Sequence, residues 1–146
     1  MTTDDDAARI HALLEDQAKV IRAKDADAAL ASYAPKVVKF DLAPPLATTG
    51  SRALSKPELQ AWFATWDGPI GFDLRDFSIS VSDDLAFCHG FVRISGTKTS
   101  GERNEVWARA TMCLRRIGGT WRIVHEHTSV PFYMDGSLRA AVDLRP

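Results

Sequence analysis

Apolar positions along this chain change period twice. From Asp4 to Lys24 they recur at helical spacing, with Ile10, Leu13, Leu14, Gln17 and Ile21 on one stripe. Thr3 or one of Asp4, Asp5 and Asp6 caps this first helix, and its acidic first turn suits the helix dipole. Gln17 is polar on an apolar stripe, so it either points into a cavity or sits at the stripe's edge. A second, shorter helix opens at Asp25 or Asp27 and runs to Ala34, with Leu30 and Tyr33 as its larger buried candidates. Pro35 stops it. Residues Ser55-Lys56-Pro57-Glu58 form a capping box with proline in the first turn, which starts a third helix. Leu59, Trp62, Phe63 and Trp66 give that helix a bulky face, and Trp66 at its end serves either the core or a ligand.

Elsewhere the period is two. Val37 to Leu42 is a short strand with Val38, Phe40 and Leu42 on one face and Val37, Lys39 and Asp41 on the other. Ala43-Pro44-Pro45 breaks it, and a loop follows to Ala53. From Ile70 onward the chain reads as an antiparallel meander. Parity slips between Leu74 and Phe77, which predicts a bulge and a bend. Thr97 to Asn104 is a polar hairpin loop, and Gly118-Gly119 a tight turn. The last strand, from Thr120, places Trp121, Ile123, His125, His127 and Ser129 on one face by simple alternation. That face starts in a core and ends in a pocket. Tyr133 to Pro146 is a polar tail.

Helices followed by a meander make an α+β domain, expected over residues 1–133. The sheet has an apolar face to bury, and only the helices can cover it. The expectation is therefore a cone-shaped, curved antiparallel sheet wrapped around about three N-terminal helices, with a pocket at its open end.

Charge then narrows the partners. The net charge of −1, from 18 basic and 19 acidic residues, offers no field for nucleic acid or a membrane surface. No apolar run approaches the ~18 residues of a membrane span, and the N-terminus is acidic where a secretory leader is basic. Cys88 and Cys113 lie in strands and read as buried thiols of a reducing cytosol, a strand-to-strand disulfide being the alternative. The expected location is cytoplasmic.

Several polar residues fall where a pocket is expected. Asp41 is either a general base, its pKa lifted by burial, or a strand-end carboxylate in an ion pair. His125 and His127 make a His-x-His pattern that His89 or Asp41 would complete as a metal site; the competing reading is a pocket histidine bonded to a carboxylate. No bound metal and no cofactor are expected. Arg109 alternates with Trp107 and needs an anion, from a salt bridge or from a ligand. Ser129 belongs to no hydrolase motif, and no phosphate-binding glycine loop occurs.

Three stretches together resemble the SnoaL-like and ketosteroid isomerase-like branch of the nuclear transport factor 2-like superfamily. They are L-A-S-Y-A-P-K-V-V-K-F-D (30–41), the capped helix from Ser55, and V-W-A-R-A-T-M-C-L-R-R-I-G-G-T-W-R-I-V-H-E-H-T-S (106–129). The resemblance implies a cone-shaped sheet around helices, commonly in a dimer. It also implies a catalytic aspartate at Asp41, after Tyr33-Ala34, and places Gln17 at the offset of an oxyanion-hole tyrosine. No acidic residue in Leu85 to Ile94 matches the second half of that hole.

The reading is thus a pocket for a small hydrophobic or carbonyl-containing molecule, with proton transfer (isomerisation or cyclisation) beside a carbonyl. The alternative is a non-catalytic binding or assembly domain. Asp41, His127 and Arg109 are the expected catalytic cluster. Gln17, Tyr33, Trp66, His89, Trp107, His125 and Ser129 are the expected ligand contacts. A homodimer is expected through the convex sheet face, carried by Val106, Ala108, Ala110, Met112 and Leu114.

Overall fold

Helical stripe and alternating strands assemble as expected in the computed structural model, which describes residues 2–146. Helix α1 (Thr3–Arg22) is capped by Thr2, one residue before the expected cap: its hydroxyl accepts from Asp5 N, and the Asp5 carboxylate accepts from Thr2 N. Asp25 caps α2 (Ala26–Ala31). Strand β1 (Tyr33–Phe40) starts earlier than Val37, because Tyr33 already pairs with Ile123. The expected loop after it holds a two-residue strand, β2 (Thr48–Thr49), and a single-turn helix, α3 (Gly50–Ala53). Ser55 caps α4 (Lys56–Ala64) through Glu58 N, with Pro57 in the first turn. Trp66 leaves this helix and opens β3 (Trp66–Ser82). Strands β4 (Leu85–Lys98), β5 (Arg103–Ile117) and β6 (Thr120–Ser129) complete the meander.

The architecture is α+β, a six-stranded curved sheet in the order β2-β1-β6-β5-β4-β3 around the helices. The sheet is open. One pair, β1 with β6, is parallel, so the sheet is mixed. Helix α1 lies against β3. Ile10, Val37, Leu114 and Ile123 are fully buried between the layers. Each contributes about 1.5–3 kcal/mol by leaving water.

Two bulges set which side chains face the helices. In β3 the register shifts between Arg75 and Ser78, as the parity slip predicted, with Asp76 at φ 56°. Phe77 then lies over Gly90, where a Cβ would stand 2.5 Å from its ring. In β6, Cys113 pairs with His125 but Leu114 pairs with Ile123. Val124 is the extra residue. It reverses the alternation, so Trp121 and Ile123 face the core while His125, His127 and Ser129 face away from it.

The row Val106, Ala108, Ala110, Met112 and Leu114 belongs to the concave face, where the last four are buried under the helices. It cannot carry a convex-face dimer. Cys88 and Cys113 are free, on opposite faces of neighbouring strands.

Residues 130–146 fold back on themselves. Phe132 bridges Ala140, the Tyr133 hydroxyl donates to Asp143, and Arg145 pairs with Glu105 at 2.8 Å.

Candidate functional site

Between the helices and the concave face lies a cavity of about 530 Å³, within the usual range for a small-molecule site. Val124's bulge decides its polar end. With the alternation reversed, Glu126 and Thr128 line the cavity in place of the histidines. Lys39 stands opposite Glu126 in the parallel β1–β6 pair. Tyr33, Gln17 and Asp41 complete this end. Leu59, Trp62, Trp66, Phe72, Val92 and Ile94 form apolar walls, and the Asp41–Pro45 segment forms part of the rim.

The contacts are specific. The Tyr33 hydroxyl donates to Glu126, 2.9 Å from each carboxylate oxygen. Lys39 Nζ stands 3.8 Å from Glu126 Oε2, 3.9 Å from Asp41 Oδ1 and 4.9 Å from the Tyr33 ring centroid. Burial pushes the Glu126 carboxyl above the ordinary carboxylate range, against the pull of the Lys39 charge and the Tyr33 hydrogen bond. Tyr33 is raised as well, by burial first and then by the Glu126 charge. Gln17 is buried in the cavity wall; its amide donates to Ala29 O and accepts from Ser32 Oγ, both at 2.8 Å. Of the two sequence readings of Gln17, the cavity holds.

The expected catalytic cluster does not assemble. Asp41 lines the rim, 44% of its side chain exposed, and its charged neighbour is Lys39. His127 and Arg109 do share a face, but it is the convex one. Arg109 pairs with Ser129 and donates to its hydroxyl at 3.2 Å, while His127 pairs with Thr111. The sheet separates both from Asp41. Trp107, His89 and His125 lie on that same outer face and do not line the cavity. His125 donates from Nδ1 to Val38 O at 2.8 Å, and Phe40 stacks edge-on against both His125 and His127. Among the described residues, no group of three metal-ligating side chains comes together. Of the expected ligand contacts, Gln17, Tyr33 and Trp66 reach the cavity.

A family model described as the SnoaL-like domain matches residues 10–133. The chain belongs to this SnoaL-like family. No curated protein matches the sequence. A nuclear transport factor 2-like protein of unknown function from Pseudomonas putida shares its structure with a TM-score of 0.87 at 28% identity, each chain covered in full. A candidate dehydratase of the nuclear transport factor 2-like family from Streptomyces avermitilis has a TM-score of 0.76 at 19% identity, over 88% of this chain and 97% of its own. A candidate scytalone dehydratase from Novosphingobium aromaticivorans has a TM-score of 0.75 at 16% identity, over 91% and 89%. The last two show the shared fold.

For this SnoaL-like chain, sequence reading missed Glu126 and Lys39 as site residues. Plain alternation carries no signal for Glu126. The apolar even-numbered row of β5 must face the core, and counting through Gly118-Gly119 without a bulge sets Arg109 opposite Thr128 and His127 opposite Ala110. Arg109 and His127 can then share a face only through a bulge in β6, and that bulge turns His127 outward to the side of Arg109 and Glu126 inward.

Proposed function

We propose that this chain binds a small, largely apolar carbonyl compound in the concave cavity and moves a proton beside that carbonyl. Glu126 is the base. The observation that carries the reading is a carboxylate at one polar end of a cavity with apolar walls, raised by burial and flanked by one ammonium. Raising a carboxyl toward neutrality makes it a better base at working pH. Glu126 takes the proton from the carbon next to the carbonyl. The electron pair moves to the carbonyl oxygen, where the Lys39 ammonium opposes the developing charge. Glu126 then returns the proton at another position, or gives it to a hydroxyl group one carbon further on, which leaves as water as the enolate pair forms the new C=C bond. The dehydratase descriptions of two structural neighbours agree with a reaction that begins in this way. Tyr33 and Asp41 position the charged pair, Tyr33 by its hydrogen bond to Glu126 and Asp41 by its charge beside Lys39.

A purely binding role has one observation in its favour, since the Gln17 amide is already spent on Ala29 and Ser32. Deuterium exchange separates the two. The protein is incubated in D2O with a panel of aryl and cyclic ketones, and label beside the carbonyl is read by NMR. Wild type should accelerate exchange on part of the panel. Glu126→Gln, which keeps the shape, should lower that rate by about 10²–10⁴-fold. Exchange that survives in the variant would remove Glu126 as the base, and ketone binding without exchange would leave the binding role.

In this reading two copies also pair through the convex face, in the cytosol. Phe87 is half-exposed there, Phe91, Trp107 and Phe40 lie on the same face, and a face of this kind needs cover. Two unpaired thiols suit a reducing compartment.

A further inference from the structure

The cavity has a second polar end. Three cations line the cavity as a whole: Lys39, Arg52 and Lys98. Lys39 has Glu126 and Asp41. Lys98 has no carboxylate within 4.0 Å among the described residues. Instead its Nζ lies 3.8 Å over the Trp66 ring and donates to Thr65 Oγ1 at 2.9 Å. An ammonium has three donors, so at least one remains unused. Trp66 is held in turn. Gly96, at φ 145°, clears room for its ring, where a Cβ would come 3.0 Å from Trp66 Cε3. The Lys24 ammonium donates to the Trp66 carbonyl at 2.8 Å, and Arg22 to the Phe72 carbonyl at 2.6 Å. Neither cation has a carboxylate partner among the described residues. Lys98 is therefore a fixed cation, and of the three carboxylates that line the cavity, Asp41, Glu58 and Glu126, none lies within 4.0 Å of it. Asn104 lines the cavity close by in the β4–β5 hairpin, and its amide has no hydrogen-bond partner among the described residues. The acids nearest in sequence, Asp67 and Glu102, are exposed and do not line the cavity.

Register places this corner far from Glu126. Glu126 pairs with Met112, and Asn104 lies eight residues further along β5. That is a contour of about 26 Å along a strand, which the curl of the sheet shortens.

We propose that the ligand is two-ended: besides the carbonyl it carries an anionic oxygen group, a carboxylate or a sulfonate-like equivalent, bound at the rim by Lys98 and Asn104. The inference rests on the cavity being the binding site and specifies what fills it. The apolar body then lies along Trp62, Trp66 and Phe72, and the anchored anion keeps its own charge away from Glu126 and Asp41. Lys98 and Asn104 determine specificity and touch no reacting atom.

Two dyes of one skeleton test this on the intact chain: 8-anilinonaphthalene-1-sulfonate and the neutral N-phenyl-1-naphthylamine. Wild type should bind the sulfonate about tenfold tighter than the neutral dye, the worth of one charge-assisted contact. Lys98→Met keeps the stem over Trp66 and should erase that preference while leaving neutral-dye affinity within about twofold. Asn104→Leu should reduce it in part, and Lys98→Arg should retain it. The inference falls if the preference is absent in wild type, survives Lys98→Met, or is removed by Arg52→Gln instead. If neither dye binds, the cavity reading falls and this inference with it.

Discussion

Glu126 gains its character from opposing neighbours. Burial raises its carboxyl, while Lys39 and Tyr33 pull it down without cancelling the rise. Arg109 stands across the sheet, without a carboxylate partner among the described residues and bonded to Ser129. The two positions therefore answer different questions. Arg109→Glu should leave neutral-dye affinity within about twofold, because the side chain faces away from the cavity. Across the proposed convex interface the two added charges repel, so the variant should sediment at a monomer mass where the proposal expects a dimer mass for wild type. Loss of dye binding in a folded variant would put Arg109 back at the pocket, and an unchanged dimer would move the interface elsewhere. Individual residues were unevenly legible in the sequence. Tyr33, Gln17 and Asp41 line the cavity as read. His125, His127 and Ser129 do not, because one inserted residue, Val124, reverses every position after it. Nothing in T-W-R-I-V-H-E-H marks Val124 as that residue, since Ile123 and Val124 fit a strand equally well.

Elements were easier to read than faces, since a helix repeats its stripe over several turns and one misplaced residue does not erase it. The stripe of α1, the Ser55 cap and the Gly118-Gly119 turn all stand where the sequence puts them. Short elements without a period, such as β2 and α3, left no pattern to find. One tie between elements also has no periodic signal in the sequence. Asp6 of α1 takes a two-pronged hydrogen bond from Arg116 of β5, both arms at 2.7 Å, and a third from Trp121 Nε1 at 3.2 Å. The Arg116 bond holds the Asp6 carboxyl down at about 2, below its ordinary 3.8. A lowered carboxylate stabilises the fold at pH above the unfolded value and loses that stabilisation as pH falls through the folded one. Thermal stability should therefore drop between about pH 4 and pH 2. Asp6→Asn should lower stability at neutral pH and flatten that part of the profile. A wild-type profile unchanged by Asp6→Asn would show that the pair does not fasten α1 to the sheet.

At the scale of the whole molecule, the curled sheet makes two surfaces with separate work. The concave one holds the cavity, with a buried carboxylate at one end and a cation without a carboxylate partner among the described residues at the other. The convex one gathers His89, His125, His127, Arg109 and Trp107, the residues that alternation alone had assigned to the pocket. An α+β cone with a pocket follows from periodicity and burial. Which chemistry faces inward depends on the register of a single pair of strands.

The most direct test of this account is the titration of Glu126 itself, followed through its side-chain carboxyl carbon by ¹³C NMR in wild type, Lys39→Met and Tyr33→Phe. The account predicts a wild-type midpoint above the ordinary carboxylate range. Each variant should move it further up, because each removes a group that favours the ionised form. Glu126 should also bind its proton more readily folded than unfolded, so that Glu126→Gln is more stable than wild type at pH 8. A midpoint in the ordinary range, unmoved by either variant, would place the carboxylate in solvent and contradict its assignment as the buried base.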